Sequence, residues 1–440
     1  MSWNSKTLWI AFCASAVLLP IGVIAAPPST RPVEGLRDNT PAVWALTNAK
    51  IVTEPGKVID KGTIVVKDGV IAAVGADVQP PADARVLDMA GKLVYPGLID
   101  AFGEAPVTAE QRQSSAPHWN PQVTPQFDLS EHYRFDDDLN KKLRSQGITA
   151  RLVAPAGGII KGRSAVVTTR STTGTRSILA ADVALHVRLT ISFGSRDNFP
   201  NSPMGAVALA RQSFLDADWY GRAWTAYRGS PSLVRPERNE ALEALAPYLG
   251  SEKLVIFDAA NEQFFDRADR FAKEFGLKAI IRGSGREYRR IEEIKASGRP
   301  VIVPVNYPSA PSVGGIEEAR DVSLEQLMHW DHAPENAARL EKAGVPIALT
   351  SYGLRDPAKF LANVRRAVER GLPADAALKA LTTTPAALYG MEIRVGTIAA
   401  GKVASLVIAD GDLFAKKTKV VETWVDGERF EHDAPPVVDP

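Results

Sequence analysis

From about Gly147 to Thr382 the chain alternates short apolar runs with segments whose apolar residues recur at helical spacing. No other feature restricts the fold as much. Ile148–Val153, Leu254–Phe257, Ala279–Ile281, Val301–Val305 and Val345–Leu349 read as strands. Met204–Trp219, Arg238–Leu249, Asn261–Phe275, Glu287–Ser297, Glu335–Ala343, Lys359–Arg370 and Ala374–Thr382 read as helices, with Gly276, Gly298 and Gly344 closing three of them. Repeated strand–helix units imply parallel strands joined by right-handed crossovers. Their number favours an α/β fold of the (β/α)8 TIM type over an open sheet.

The two flanks read differently. Ala45–Ile51, Gly62–Lys67 and Val70–Val74 are β-branched runs, and Asp68-Gly69 between the last two is a hairpin signal. After Gly390 the pattern returns as Ala404–Ala409, Val420–Val425 and Glu428–Glu431, with Asp426-Gly427 between the last two. Pairing of these distant segments would give a small composite β-sandwich from 42–95 plus 391–431, with the barrel over 96–390.

Residues 1–26 read as a secretory signal peptide: Lys6 is the only charge, and the apolar run ends at Ala25-Ala26. Pro20 and Gly22 interrupt that run, which argues against a membrane anchor. The Pro-rich stretch 27–41 reads as a linker. The expected location is outside the cytoplasm, in a bacterial periplasm. No later run is apolar enough to span a membrane. Cys13 is the sole cysteine, which excludes an internal disulfide and any multi-thiolate metal site. With 52 basic against 51 acidic residues, nothing in the net charge of +1 points to nucleic acid or an anionic membrane. The six histidines form no HxH, HxxxH or HExxH pattern.

Three stretches carry a family resemblance: 61–101 (ending KLVYPGLIDA), GVPIALTSYG (344–353) and 371–414 (with ALKALTTTPA and GTIAAGKVASLVIADGD). Together they resemble the metal-dependent amidohydrolase superfamily, and the middle of the chain is similar to an exported, imidazolonepropionase-like branch. The resemblance implies a TIM-type barrel with a composite β-sandwich. It also implies hydrolysis of carbon–nitrogen bonds other than peptide bonds by one or two divalent metals such as zinc, held at the strand ends. Carried over one position at a time, the ligands are changed. Phe102 and Glu104 stand where two histidines are expected after PGLID. Around 189–195 there is neither lysine nor glutamate. The fifth-strand histidines fall on Asp258-Ala259-Ala260, the sixth near Gly283, and the eighth-strand aspartate on Tyr352. Phe102 cannot bind a metal, and Glu104 with Asp258 would make a thin, oxygen-only site. The expectation is therefore a protein without a metal cofactor. It would be a non-catalytic, regulatory or binding homologue, forming a homo-oligomer or a hetero-oligomer with an active amidohydrolase paralogue. The alternatives are a hydrolase with a rearranged site and a barrel that binds a small-molecule ligand.

Glu104 and Asp258 are the candidate catalytic carboxylates: an acid/base pair, a pair that holds a ligand cation, or side chains ion-paired to Arg282 or another basic side chain. Arg282, Asn306 and Tyr352 are candidate ligand-binding residues at strand ends. His329 and His332 could share a metal at i, i+3, or lie in a solvated loop or helix N-terminus. His186, in an apolar run, reads as a satisfied buried histidine. Gly157–Gly162 lacks the spacing of a phosphate loop and reads as part of the barrel. Arg286, Arg289 and Arg290 read as a solvated helix face. Ser164 and Ser351 have no neighbouring His and Asp to make a nucleophile.

Overall fold

The computed structural model describes residues 43–171, 177–191 and 199–432. The expected signal peptide and linker, 1–26 and 27–41, lie outside the described residues, as does most of the 189–195 stretch. The strands are β1 (Val43–Glu54), β2 (Lys57–Lys67), β3 (Val70–Gly75), β4 (Arg85–Asp88), β5 (Leu93–Pro96), β6 (Leu98–Ala105), β7 (Ile148–Pro155), β8 (Ile160–Arg163), β9 (Ala165–Thr168), β10 (Ile178–Ala180), β11 (Leu185–Arg188), β12 (Leu254–Asp258), β13 (Lys278–Arg282), β14 (Val301–Pro304), β15 (Ile347–Thr350), β16 (Leu406–Ala409), β17 (Val420–Val425) and β18 (Glu428–Glu431). They build a mixed α/β fold from three sheets.

The first sheet joins the two ends of the described chain, in the order β18-β17-β16-β5-β1-β2-β3 with β4 beside β1. Both Asp-Gly signals are its tight turns, with φ of 51° and 80° at Asp68 and Gly69, and 51° and 78° at Asp426 and Gly427. Positive φ at both central residues is what a two-residue hairpin of matching twist needs. The sheet buries Trp44, Ile51, Ile64 and Trp424, and the two indoles meet edge to face at 5.4 Å.

The other sheets are β10-β9-β7-β6 and β15-β14-β13-β12-β11-β8. From β11 to β15 every pair is parallel, as the strand–helix alternation requires. Between β7 and β11 the alternation fails: β7 pairs β9, and β8 pairs β11, antiparallel. Helices cover the sheets through one large apolar cluster that includes Phe214, Phe257, Phe265, Phe271 and Leu361. The opposite faces of the strands bury Phe102, Leu152, Ile256, Ile280, Ile302 and Ala348.

Several elements differ from expectation for local reasons. The helix begun at Pro203 runs to Gly229, because nothing after Trp219 breaks it. The segment after Asn239 is helical only over Glu240–Leu245 and then tightens around Pro247, which has no N–H to donate. Glu287 turns inward to accept from Gly285 N and Asn336 Nδ2, so the expected helix splits and restarts at Ile291. His329 and His332 lie in the last turn of the helix Leu324–His332, whose start is fixed by a Ser323–Gln326 capping box. They are therefore in neither a loop nor a helix N-terminus. Among the described residues no helix is long and apolar enough to cross a membrane.

Candidate functional site

Parallel register places three charged residues side by side. Arg188 is opposite Asp258 across β11 and β12, and Asp258 is opposite Arg282 across β12 and β13. Neighbouring parallel strands are about 4.8 Å apart, so these side chains share one level on one face. Arg282 Nε donates to Asp258 Oδ1 at 3.1 Å, and Arg188 Nε lies 4.0 Å from Asp258 Oδ2.

The centre of the cluster is Lys161, a residue that sequence reasoning passed over. Its Nζ donates to Glu104 Oε1 at 2.5 Å and also to Asp258 Oδ2. The lysine side chain is wholly buried, the Asp258 side chain is 2% exposed and the Glu104 side chain 16%. The backbone explains how lysine comes to be there. In the β8–β11 ladder Gly162 faces His186 and Ile160 faces Val187, so Lys161 is the extra residue of a β-bulge. A bulge bends the strand and re-aims one side chain. Outside the ladder, the Lys161 carbonyl accepts instead from Arg112 NH1 at 2.6 Å and Thr124 Oγ1 at 3.3 Å. The bend also needs Gly162, whose φ is 114° and where a Cβ would stand 2.6 Å from the Phe127 carbonyl. A lone lysine directly after the apolar pair Ile159-Ile160 and before Gly162 was the available signal.

Tyr352 closes the cluster. Asp100 accepts from Ser351 N at 3.0 Å, which fixes the chain just past β15. From there the Tyr352 hydroxyl donates to Glu104 Oε2 at 3.1 Å. The Tyr352 ring meets Phe102 edge-on at 5.0 Å, and the Arg282 guanidinium lies 4.6 Å from the Tyr352 ring centre and 5.3 Å from that of Phe102. Of the five residues singled out from sequence, Glu104, Asp258, Arg282 and Tyr352 meet here. Asn306 does not: it is exposed past the end of β14, its Nδ2 packed close against Gly353.

The electrostatics follow from burial and charge. Burial alone would raise the Asp258 carboxyl, but Lys161 and Arg282 outweigh it and hold that carboxyl well below the usual carboxylate range. Burial, then the Glu104 charge, pushes the Tyr352 phenol up to about 12, so it stays a donor. His186, two residues before Arg188, is fully buried beneath the cluster, and neither ring nitrogen has a hydrogen-bond partner. Burial pushes its imidazole down to about 3, so it is neutral at pH 7.

This donor set does not fit a divalent metal. Three cationic side chains, Lys161, Arg188 and Arg282, already face two carboxylates. A dication would have to enter against that positive charge and displace an ammonium hydrogen-bonded to both carboxylates. Among the described residues no three His, Cys, Asp or Glu side chains gather where they could hold an ion. His329 and His332 are engaged elsewhere: His329 Nδ1 meets the Tyr288 hydroxyl at 3.3 Å, and His332 Nδ1 meets Arg339 NH2 at 3.0 Å.

Amidohydrolase tasK of Hapsidospora irregularis is 24% identical to this chain over 407 residues. The match takes in 83% of this chain but spans only 39% of that protein. Among solved structures, an amidohydrolase from Thermotoga maritima MSB8 is similar with a TM-score of 0.73 at 23% identity, covering 88% of this chain and all of the other. A prolidase complexed with N-methylphosphonate-L-proline is similar with a TM-score of 0.53 at 17% identity, covering 88% and 99%. Likeness at such identities speaks for the fold. The sequence profile of the amidohydrolase family goes further, matching residues 205–430, just over half the chain. That span holds Asp258, Arg282 and Tyr352 together with the C-terminal strands of the shared sheet. The chain thus belongs to the amidohydrolase family.

Proposed function

We propose that this chain is an amidohydrolase-family protein in which the Lys161 ammonium has taken the place of the catalytic metal, and that it serves as a non-catalytic binding or regulatory subunit. The observation that carries the reading is the Lys161 contact to both Glu104 and Asp258. An ammonium neutralises carboxylates as a metal does, but it offers no open coordination position to polarise a carbonyl or activate water. The finer architecture belongs to the same proposal. The strands from β6 to β15 close as a (β/α)8 barrel, with Thr350 Oγ1 donating to the Phe102 carbonyl at 2.6 Å where β15 meets β6. The shared sheet is the composite β-sandwich. Export to a periplasm, and assembly with itself or with an active paralogue, complete the reading.

A hydrolase with a rearranged site would need a carboxylate free to take a proton. Asp258 is a poor base, being ionised and bonded to Lys161 and Arg282. The test is metal content and turnover of the mature protein after incubation with zinc or manganese. Substoichiometric metal and no hydrolysis of small amides or dipeptides are expected. Stoichiometric, tightly held metal with turnover would overturn the proposal.

A further inference from the structure

On β7, Ala150, Leu152 and Ala154 belong to the buried cluster shared with Phe102 and Ile256. Strand alternation turns Arg151 and Val153 to the other face, where Val153 packs with Phe127 and Leu129. There Arg151 lines a cavity of about 690 Å3 roofed by the segment 106–139. The residue is only 7% exposed, yet its side chain forms no hydrogen bond or ion pair with any described residue, and its Nε is buried without a partner. Gly103 makes room for it: a Cβ there would stand 2.6 Å from Arg151 NH2.

A desolvated guanidinium without a counter-charge is costly, and proteins seldom keep one unpaired. Four acids also line the cavity, and none forms an ion pair with Arg151. Glu104 is held by Lys161 and Tyr352, Asp136 caps the following helix through Leu139 N, Asp137 pairs with Lys141 and Arg144, and Asp138 is exposed. The rest of the wall mixes apolar Val107, Leu129, Phe135, Leu139 and Val153 with polar Thr108, Gln111, His132, Tyr133 and Arg134. Burial raises the Tyr133 phenol, which keeps its proton available to an acceptor. A space of this volume is in the range that holds small organic ligands.

We infer that this cavity is a binding site for a small organic carboxylate with an apolar body, its carboxylate paired with Arg151. The inference goes beyond the non-catalytic reading: Glu104 borders both the cavity and the Lys161 cluster, but Arg151 lies on the face of β7 opposite the buried cluster around Phe102, and its pairing with a carboxylate requires nothing of Lys161.

Isothermal titration of the whole chain with hexanoate and with 1-hexanol tests it. Hexanoate is expected to bind at least about tenfold more tightly than the neutral alcohol, the size of a hydrogen-bonded charge pair. Arg151→Gln should lower hexanoate affinity by a similar factor and leave the alcohol unchanged. Equal affinity for alcohol and carboxylate, no binding of either, or full hexanoate affinity in Arg151→Gln would overturn the inference. The comparison of the two ligands on the unaltered chain decides the matter even where the variant fails to fold.

Discussion

Lys161 holds its place through opposite charge, and its value is best seen by removing it. Lys161→Met would leave Glu104 and Asp258 facing each other, with Arg282 and Arg188 on the Asp258 side only. Breaking a buried ion pair by deleting one partner costs roughly 3–5 kcal/mol. Urea denaturation should show a loss of that order, with part of it recovered when Glu104→Gln is added, since the unpaired charge is then gone. Unaltered stability in Lys161→Met would mean the ammonium is a bystander. At this scale legibility was uneven. Glu104 and Tyr352 could be placed because PGLID and LTSYG fix their flanks, and Asp258 and Arg282 because apolar strands lead up to them. Lys161 depends on a bulge and on a glycine at positive φ, and neither leaves a periodic trace in sequence. Asn306 has the parity of Ile302 and Pro304, but the chain has left the sheet after Pro304, so the side chain reaches solvent.

Among the elements, the two Asp-Gly hairpins were the clearest in sequence, but their mutual contact was not. Their tips pack against each other: Ala404 N donates to the Gly69 carbonyl, and Gly427 N to the Ala404 carbonyl. A Cβ on Gly427 would lie 2.6 Å from Gly69 Cα, and one on Gly69 would lie 2.7 Å from the Asp426 carbonyl oxygen. Both obstacles are backbone and cannot swing away. Gly427→Ala and Gly69→Ala should each destabilise by about 2 kcal/mol or more, combining steric push with positive φ. The double variant should cost less than the sum, because the two sites touch. Equilibrium unfolding of the three variants reads both effects, and full additivity would show that the tips act independently. The antiparallel stretch from β8 to β10 escaped sequence reading for a related reason. A short buried strand is apolar whether its partner runs parallel or antiparallel.

For the whole molecule, the buried titrating groups set how stability responds to acid. His186 has a folded pKa of about 3 against an ordinary 6.5, so the unfolded chain takes up that proton first as the pH falls. Stability is therefore lost from about pH 6.5 downward, at about 1.4 kcal/mol per pH unit for one proton, until the folded state also protonates near pH 3. Asp258 acts in the same direction at lower pH. Its folded carboxyl stays ionised when the unfolded one, at about 3.9, protonates, so its contribution disappears only below that value. His186→Leu keeps the volume roughly constant and removes a ring with no hydrogen-bond partner. Melting curves of the two proteins across the acid range should converge above pH 7 up to a constant offset and diverge below 6.5, the variant holding its stability further into acid. The difference between them isolates His186 from the other histidines, which both proteins share. Parallel curves throughout would mean that the imidazole reaches solvent in the folded state and that the space beneath the Lys161 cluster is open to water.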